Sequence, residues 1–214
     1  MSSRSYTLYY APGAASLVVH WLLLEVQAPH RLMLIDTAAG AQKQPDYLAL
    51  NPNGVVPTLV VDGVPHYEAA ALSMVLADGY PAADLAPSPA DPQRIAYTQW
   101  MFNLANMVQP LFRQWWYPQE PAGDAHADTV RACVQPRIEA QWQRIDAHLA
   151  AHGPYLLGDR LTAADFYLAM LMRWSRNMPR PATEWPHLAA LAARLKTRPS
   201  FAQLYAREGL TEWT

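Results

Sequence analysis

One proline constrains this chain more than any other residue. Pro57 lies near the start of an apolar stretch rich in β-branched residues, Val55 to Val61, which predicts a strand. Because proline has no N–H to donate to a sheet ladder, it belongs at the start of a strand or on an edge. The backbone of Val56 is therefore predicted to be unpaired and outward-facing, as a protein needs in order to add an extended peptide as a strand. Glu68 would offer a carboxylate within reach of that peptide's amino end.

Composition excludes several classes of protein. The 214 residues have a net charge of −2, and 51% of them are hydrophobic, which is enough for a sizeable core in one large or two small domains. The small net charge gives no basic field for nucleic acid and no polybasic patch for a membrane. One cysteine, Cys133, excludes an internal disulfide and a multi-cysteine metal site, and the seven histidines lack metal-ligand spacing, so we expect no metal.

The sequence shows neither the pattern of a membrane-spanning helix nor that of a signal peptide. The longest apolar run, Leu17 to Leu24, is too short to span a bilayer. Met1 to Ser5 lead directly into a strand pattern rather than into the apolar segment of a signal peptide. These features predict a soluble, cytoplasmic protein that binds neither nucleic acid nor membrane.

The order of the predicted elements divides the chain in two. Up to residue 80 the patterns read βαβ and then αββα, with a hairpin at Asp62-Gly63 because Asp-Gly favours a two-residue turn. A proline-rich stretch follows, and from Pro92 onward the periodicity is helical. One helix is predicted over residues 92–112, and Thr162 with Asp165 predicts a capping box on a later helix. We therefore predict an α/β domain over 1–80, a linker over 81–91 and an all-helical domain over 92–214.

Three motifs together resemble the cytosolic glutathione transferases. They are Leu8 to Leu17, which is similar to the start of bacterial beta-class members, Asn51 to Leu59 with Glu68, and Gly158 to Asp165. The resemblance covers nearly the whole chain. It implies a thioredoxin-like first domain with a cis bond between Val56 and Pro57, an all-helical bundle as second domain, and a homodimer.

The same resemblance implies a glutathione site. The N–H and C=O of Val56 would pair with the cysteinyl part of glutathione, and Glu68 would meet the γ-glutamyl amino group. The N–H of Ala69, at the start of a helix, would meet the γ-glutamyl carboxylate, since a helix N-terminus suits an anion. The residues implied for glutathione binding are Asn53, Val56, Pro57, Glu68, Ala69 and Asn106, the last reaching the glutathione of a partner subunit.

Thiol activation has two kinds of candidate. The thiolate is the nucleophile, so a donor beside the sulfur must lower the pKa of the bound thiol. Ser16, at the start of the first predicted helix, is the first candidate, and a helix cap without catalytic duty is its alternative. Tyr10 and Tyr9 compete with it. They alternate faces of the first strand, so at most one of them points at the sulfur.

An aromatic cluster is the candidate pocket for the electrophile, which we expect between the two domains. Aromatic side chains form apolar pockets for flat substrates, but they also form ordinary core. Arg113 could contact an anionic substrate or lie on a solvated helix face. The pocket candidates are Phe112, Arg113, Trp115, Trp116, Tyr117 and Trp174.

Some positions depart from the family pattern. Ala15 stands where beta-class members carry a cysteine, and Gln109 and Pro110 stand where they carry a histidine and a lysine. Many other classes have Ser or Thr in place of Ala69, whose lost hydrogen bond is worth on the order of 1 kcal/mol. We therefore expect weak glutathione binding and low activity with standard electrophiles.

The most favoured function is a detoxifying glutathione transferase that conjugates the glutathione thiolate to hydrophobic electrophiles. Two alternatives remain open. One is a binding or regulatory module with no turnover, which the departures favour and the retained Val56, Pro57 and Glu68 oppose. The other is a related activity, namely glutathione-dependent isomerisation, dehalogenation or peroxide reduction.

Overall fold

The computed structural model describes residues 4–213, so the prediction about a leader at Met1 to Ser5 lies partly outside the described residues. The described chain forms two compact units. The first comprises residues 4–86 together with Thr197–Glu212, and the second comprises Pro87–Lys196 with Trp213.

A mixed four-stranded sheet forms the first unit's centre, in the order β2-β1-β3-β4. β1 pairs in parallel with β2 and antiparallel with β3, which forms a hairpin with β4. Asp62 and Gly63 both have positive φ, +50° and +87°, as a two-residue hairpin turn of mirror-image type requires. The predicted hairpin is thus confirmed. The strands are β1 (Tyr6–Tyr10), β2 (His30–Leu34), β3 (Thr58–Val61) and β4 (Val64–Tyr67).

Helices cover this sheet and form the first unit's core. Every residue of α1 from Ser16 to Leu24 is buried, which is why its sequence is apolar all round rather than amphipathic. It packs against α3 and α10, and so it is enclosed on several sides. The helices of this unit are α1 (Ser16–Glu25), α2 (Pro45–Leu48), α3 (Ala69–Gly79) and α10 (Pro199–Glu208), with short 3₁₀ turns at Ala41–Lys43 and Pro81–Ala83.

The regular elements of the second unit are helices, and the segment between α7 and α8 adds two isolated β-bridges. Its central helix, α8, has every residue from Ala163 to Arg173 buried, and α7 contains Pro136. Short 3₁₀ turns lie at Asp124–His126 and Ala182–Glu184. The α-helices are α4 (Arg94–Asn103), α5 (Gln109–Trp116), α6 (Gln119–Ala122), α7 (Ala127–His152), α8 (Ala163–Trp174) and α9 (Pro186–Lys196). The predicted sequence of a thioredoxin-like α/β part followed by an all-helical part is confirmed.

The single helix predicted over residues 92–112 is wrong in detail. A π-helical turn, Leu104–Val108, separates α4 from α5. Pro110 explains the interruption, because it has no N–H to donate to the carbonyl of Asn106 and its ring would crowd that carbonyl. A local shift to the wider π ladder accommodates the proline.

The predicted capping box at the start of α8 is present and fully buried. The carboxylate of Asp165 accepts the N–H of Thr162 at 2.8 Å and the N–H of Leu156 at 2.9 Å. It also accepts the hydroxyl of Thr162 at 3.1 Å. One side chain therefore ties the incoming loop to the first turn of the helix at the centre of this unit.

Removing that carboxylate should destabilise the second unit. Asp165→Ala leaves two buried N–H groups without an acceptor, and we expect the free energy of unfolding to fall by about 2–4 kcal/mol. Asp159→Ala, an exposed aspartate of the same loop, is the matched control. Urea unfolding followed by circular dichroism measures both, and equal stability of the two variants would contradict the assignment.

Candidate functional site

Hydrogen bonds hold the segment before β3, and Val56 within it is 9% exposed, so the residue as a whole is more covered than the predicted outward-facing position implied. The bond between Val56 and Pro57 is cis, as the family resemblance implied. The carbonyl oxygen of Val55 accepts hydrogen bonds from Asn51 Nδ2 at 2.7 Å and from the Tyr47 hydroxyl at 2.8 Å. Within residues 4–213, by contrast, the N–H and C=O of Val56 form no hydrogen bond. A rigidly held residue whose N–H and C=O are both unpaired is what strand addition requires.

Sequence reasoning missed Asn51 and Tyr47 as positioning residues. Asn51 is buried, and its Oδ1 also accepts the N–H of Asn53 at 3.1 Å. The Tyr47 hydroxyl lies 2.9 Å from Thr58 Oγ1, the first residue of β3. The only signal for Asn51 was its place in the motif, where it reads as an ordinary turn residue.

Lys43 lies beside this segment, in space that is free because Gly54 has no side chain. Gly54 has a φ of +58°, and a Cβ there would come within 2.9 Å of Lys43 Nζ and 3.0 Å of the Gln42 carbonyl oxygen. Without that Cβ, Lys43 Nζ lies 3.4 Å from the carbonyl oxygen of Asn53, which is itself exposed. Lys43 was not predicted as a site residue, although the chain has only one other lysine, Lys196. It places a cation beside Asn53 and Gly54.

Glu68 has an unusual backbone. Its φ is +74° and its ψ +104°, a conformation that costs a non-glycine residue on the order of 1–3 kcal/mol. Its side chain is exposed, and among the described residues its carboxylate has no partner. It directly precedes Ala69, the first residue of α3, whose N–H has no acceptor within the helix. Strain of this kind is concentrated at binding and catalytic sites.

The geometry does not favour Ser16 as a contact to a bound thiol. Ser16 is fully buried. Its hydroxyl accepts the N–H of Ala11 at 3.2 Å and donates to the C=O of the same residue at 3.1 Å. The hydroxyl proton is therefore already engaged. Ser16 is the first residue of α1 rather than its N-cap, which is Ala15, so the expected cap role is not observed either.

The two candidate tyrosines lie on opposite faces, as predicted from their alternation. Tyr9 packs against a small apolar cluster that contains Tyr47 and Val56. Tyr10 lies on the α1 face, with its ring centroid 6.0 Å from that of His20. Burial, with a smaller contribution from the Glu208 carboxylate, raises the pKa of Tyr10 above its ordinary value. Tyr10 therefore remains a neutral phenol at neutral pH, able to donate a hydrogen bond.

A buried hydrogen-bonded carboxylate, Glu208, ties α10 to α1 and to the loop before it. Glu208 Oε1 lies 2.8 Å from His20 Nδ1, and both side chains are inaccessible to solvent. Glu208 Oε2 accepts the N–H of Gly13 at 2.8 Å. Sequence reasoning missed this pair because 188 residues separate its members. The carboxylate fixes the turn that leads into α1.

The predicted pocket residues of the second unit differ in accessibility. Phe112 is fully buried between Trp142 and Trp174, so its ring is core and offers no surface to a ligand. Trp116 and Tyr117 are 40% and 45% exposed.

Arg113 is exposed and forms a two-pronged ion pair with Glu120. Its guanidinium also lies 4.1 Å from the centre of the Tyr117 ring. Trp115 is half-buried, and its carbonyl oxygen accepts a hydrogen bond from Arg131. This part of the second unit is thus an exposed patch of aromatic rings and guanidinium groups.

The π-helical turn carries Asn106, whose side chain is exposed. Gln109 follows it and accepts a hydrogen bond from the Tyr167 hydroxyl. Among residues 4–213, no three His, Cys, Asp or Glu side chains are grouped in a way that could hold a metal ion. The described helices include none that is both long enough and apolar enough to cross a membrane.

Comparison with known proteins decides the family. A model of the glutathione S-transferase N-terminal domain matches residues 14–78, and a model of the C-terminal domain matches residues 105–208. Glutathione S-transferase GST-4.5 of Xanthomonas campestris is 35% identical over 174 residues, which span 79% of this chain and 82% of that protein. The chain belongs to the glutathione S-transferase family. The resemblance inferred from the three motifs is therefore confirmed.

Solved structures agree with this assignment. A glutathione transferase homologue from Sulfitobacter with bound glutathione is 27% identical, with a TM-score of 0.88 over 97% of this chain and 99% of that one. BphK, a bacterial member solved as a ternary complex, is 32% identical, with a TM-score of 0.85 over 95% and 100%. A beta-class member from Sphingomonas chungbukensis is 26% identical, with a TM-score of 0.84 over 96% and 100%. This glutathione S-transferase thus shares its fold with bacterial and beta-class members.

Proposed function

We propose that this protein is a glutathione transferase that conjugates the thiolate of glutathione, its co-substrate, to hydrophobic electrophiles. The backbone of Val56 is the observation that carries the proposal. Asn51 and Tyr47 fix the preceding carbonyl group, while the N–H and C=O of Val56 form no hydrogen bond among the described residues. A tripeptide with an extended backbone is a suitable partner for such a group.

The charges around this segment are complementary to glutathione. The free carboxylate of Glu68 would bind the γ-glutamyl ammonium, and the N–H of Ala69 would bind the adjacent carboxylate. Lys43 Nζ, near Asn53, would bind the glycyl carboxylate. The cysteinyl backbone would pair with Val56, flanked by Pro57. Each charged group of the tripeptide then has an opposite charge or a donor.

The chemical step needs a thiolate. A free thiol has a pKa of about 8.5, which a helix N-terminus and a hydrogen-bond donor both lower. The N–H groups of Ala15 and Ser16 lie at the N-terminus of α1, and the Tyr10 phenol is a donor on the same face. The thiol loses its proton to solvent, and the sulfur forms a bond to the electrophilic carbon. With an aryl halide, the halide leaves with the bonding electron pair.

Tyr10→Phe should raise the apparent pKa of the bound thiol by about 1–2 units, because a hydrogen bond to a charged acceptor is worth about 1.5–3 kcal/mol. The pH dependence of kcat/KM with an aryl halide measures this pKa. Tyr9→Phe, the neighbour on the opposite face, is the matched control and should leave the profile unchanged. A shift in the control but not in Tyr10→Phe would assign the donor to the other tyrosine.

We assign the electrophile pocket to the accessible aromatic residues of the second unit, Trp115, Trp116, Tyr117 and Trp174. Trp116 and Tyr117 expose enough ring surface to stack on a flat substrate. Phe112 is omitted because it is buried. Arg113 already pairs with Glu120, so we expect its effect on anionic substrates to be small.

We further propose a homodimer that uses the exposed face of α4. Ile95 and Phe102, seven residues apart on one side of the helix, are 80% and 57% exposed. Large apolar side chains aligned this way are typical of a surface that a second copy covers. Asn106 is exposed just beyond α4, where it could reach the glutathione of the partner subunit.

The double substitution Ile95→Glu and Phe102→Glu should convert the dimer to a monomer, because it would bury like charges in the interface. Light scattering after size-exclusion chromatography measures the mass. Ala140→Glu with Ala147→Glu, at the same spacing on the exposed side of α7, is the matched control. If the control dissociates equally, or if the first variant stays dimeric, α4 is not the interface.

A binding module without turnover is the second candidate, favoured by the engagement of the Ser16 hydroxyl with Ala11. Retention on immobilised glutathione, followed by a chromogenic assay with an aryl halide, separates the two functions. A transferase gives retention and a rate. Retention without a rate on several electrophiles supports the module, and no retention overturns both.

We also propose a cytoplasmic location, since an exposed free thiol such as Cys133 is typical of reducing compartments.

A further inference from the structure

Two histidines of the second unit lie one turn apart at the end of α7. His148 and His152 are separated by four residues, so they project from the same side of the helix. Their ring centres are 4.9 Å apart, and the ring planes are inclined at 47°. From spacing alone we expected no metal, since fraying of a helix end would separate such a pair. In the structure, however, α7 extends to His152 and keeps the two rings together.

Contacts on two sides fix the ring of His148. Its Nε2 lies 2.9 Å from the carbonyl oxygen of Leu156, and because a carbonyl only accepts, Nε2 carries the proton. Trp100 of α4 packs against the same ring, with the ring centres 4.7 Å apart. In the neutral ring Nδ1 then has a lone pair, and this nitrogen has no hydrogen-bond partner within residues 4–213 and is reached by solvent. A histidine that binds a metal ion almost always donates its other ring N–H in this way.

The separation of the two rings suits a single metal ion. An imidazole nitrogen lies about 2.0–2.1 Å from a bound zinc ion, which places the ion about 3.2 Å from the centre of the ring. Two ring centres 4.9 Å apart then subtend an angle of about 100° at the ion. This angle lies between the values of about 90° for octahedral and about 109° for tetrahedral coordination.

The position at a helix end also favours a cation. The carbonyl groups of the last turn of a helix form the negative end of its dipole, which stabilises a positive charge nearby. His152 is the last residue of α7, its side chain is exposed, and its imidazole forms no hydrogen bond with the described residues. An ion from solvent therefore reaches a ring nitrogen of His152 without displacing an existing contact.

We propose that His148 and His152 bind one divalent transition-metal ion of the group that prefers imidazole, namely Ni²⁺, Cu²⁺ or Zn²⁺. The protein ligands are Nδ1 of His148 and a ring nitrogen of His152. Residues 4–213 group no third His, Cys, Asp or Glu with them, so water completes the coordination and the ion exchanges with solvent. Through the hydrogen bond to Leu156, the bound ion fixes the end of α7 against the segment that follows it. The site does not involve glutathione.

Isothermal titration of the tag-free protein with NiCl₂, without glutathione because its thiol would compete for the metal, tests the proposal. We expect one ion per chain. His152→Gln should raise the Kd for Ni²⁺ at least about tenfold, which corresponds to 1.4 kcal/mol, and the exposed position should leave the fold unchanged. His126→Gln, which removes another exposed histidine of the second unit, is the matched control and should leave the Kd unchanged. Equal values of Kd for His152→Gln and the control would overturn the site.

His148→Gln provides the second arm of the test. Removing either ligand leaves a single imidazole, so His148→Gln should raise the Kd for Ni²⁺ to the value of His152→Gln, with circular dichroism as the check on folding. In the ¹⁵N-labelled natural protein, paramagnetic Ni²⁺ should broaden the backbone signals of residues 148–156 first. Broadening centred elsewhere, or an unchanged Kd in His148→Gln, would refute the paired site. Because the readout is nickel binding, a failure of the proposed transferase function would not affect this result.

Discussion

Glu208→Ala should lower the free energy of unfolding by about 2–4 kcal/mol, because it leaves a buried imidazole nitrogen and a backbone N–H without this acceptor. The carboxylate is the acceptor for His20 Nδ1 and for the N–H of Gly13, both at 2.8 Å. His20 is fully buried, and its other ring nitrogen has no partner among the described residues. Without Glu208, the imidazole loses its one hydrogen-bonding contact within residues 4–213.

Urea unfolding followed by far-UV circular dichroism measures this loss. Glu208→Gln keeps an acceptor for Gly13 and should cost less than Glu208→Ala. Arg207→Gln, one position away and exposed, should change stability by less than about 0.5 kcal/mol. If Glu208→Ala is as stable as Arg207→Gln, the pair contributes nothing to the fold.

Glu68→Ala should raise the Kd for glutathione about 10- to 100-fold. The expected contact joins a carboxylate to an ammonium group, and a charge-assisted hydrogen bond is worth about 1.5–3 kcal/mol. The backbone strain at position 68, where φ is +74°, is about the same for alanine as for glutamate. The substitution therefore tests mainly the loss of the carboxylate.

Isothermal titration calorimetry measures that Kd. Glu68→Gln retains an oxygen acceptor and should lie between the natural protein and Glu68→Ala. Asp46→Ala, which removes another exposed carboxylate of the first unit, is the control and should leave the Kd unchanged. A Kd for Glu68→Ala equal to that of the control would contradict the assigned contact.

Features encoded by neighbouring residues could be predicted from the sequence. The Asp62-Gly63 hairpin and the Thr162–Asp165 capping box follow from turn and cap chemistry that acts over two to three residues. The π-helical turn was missed, although Pro110 carried the signal for it.

Contacts between distant parts of the chain could not be predicted. His20 lies in α1 and Glu208 in α10. The hydrophobic pattern of a helix indicates which of its faces is buried, but it does not indicate which residue of another helix will be its partner. Helix propensity correctly placed Ser16 at the start of a helix. The contact between its hydroxyl and Ala11 depends on the three-dimensional path of the loop, which the sequence does not give. Lys43 was missed for the same reason, because its position depends on the turn at Gly54.

A crystal structure of the protein with glutathione tests the docking of the tripeptide most directly. We predict that the N–H and C=O of Val56 both lie within hydrogen-bond distance, about 2.7–3.2 Å, of the cysteinyl backbone. Glutathione bound at any other place, with the N–H and C=O of Val56 still unpaired, would contradict the account.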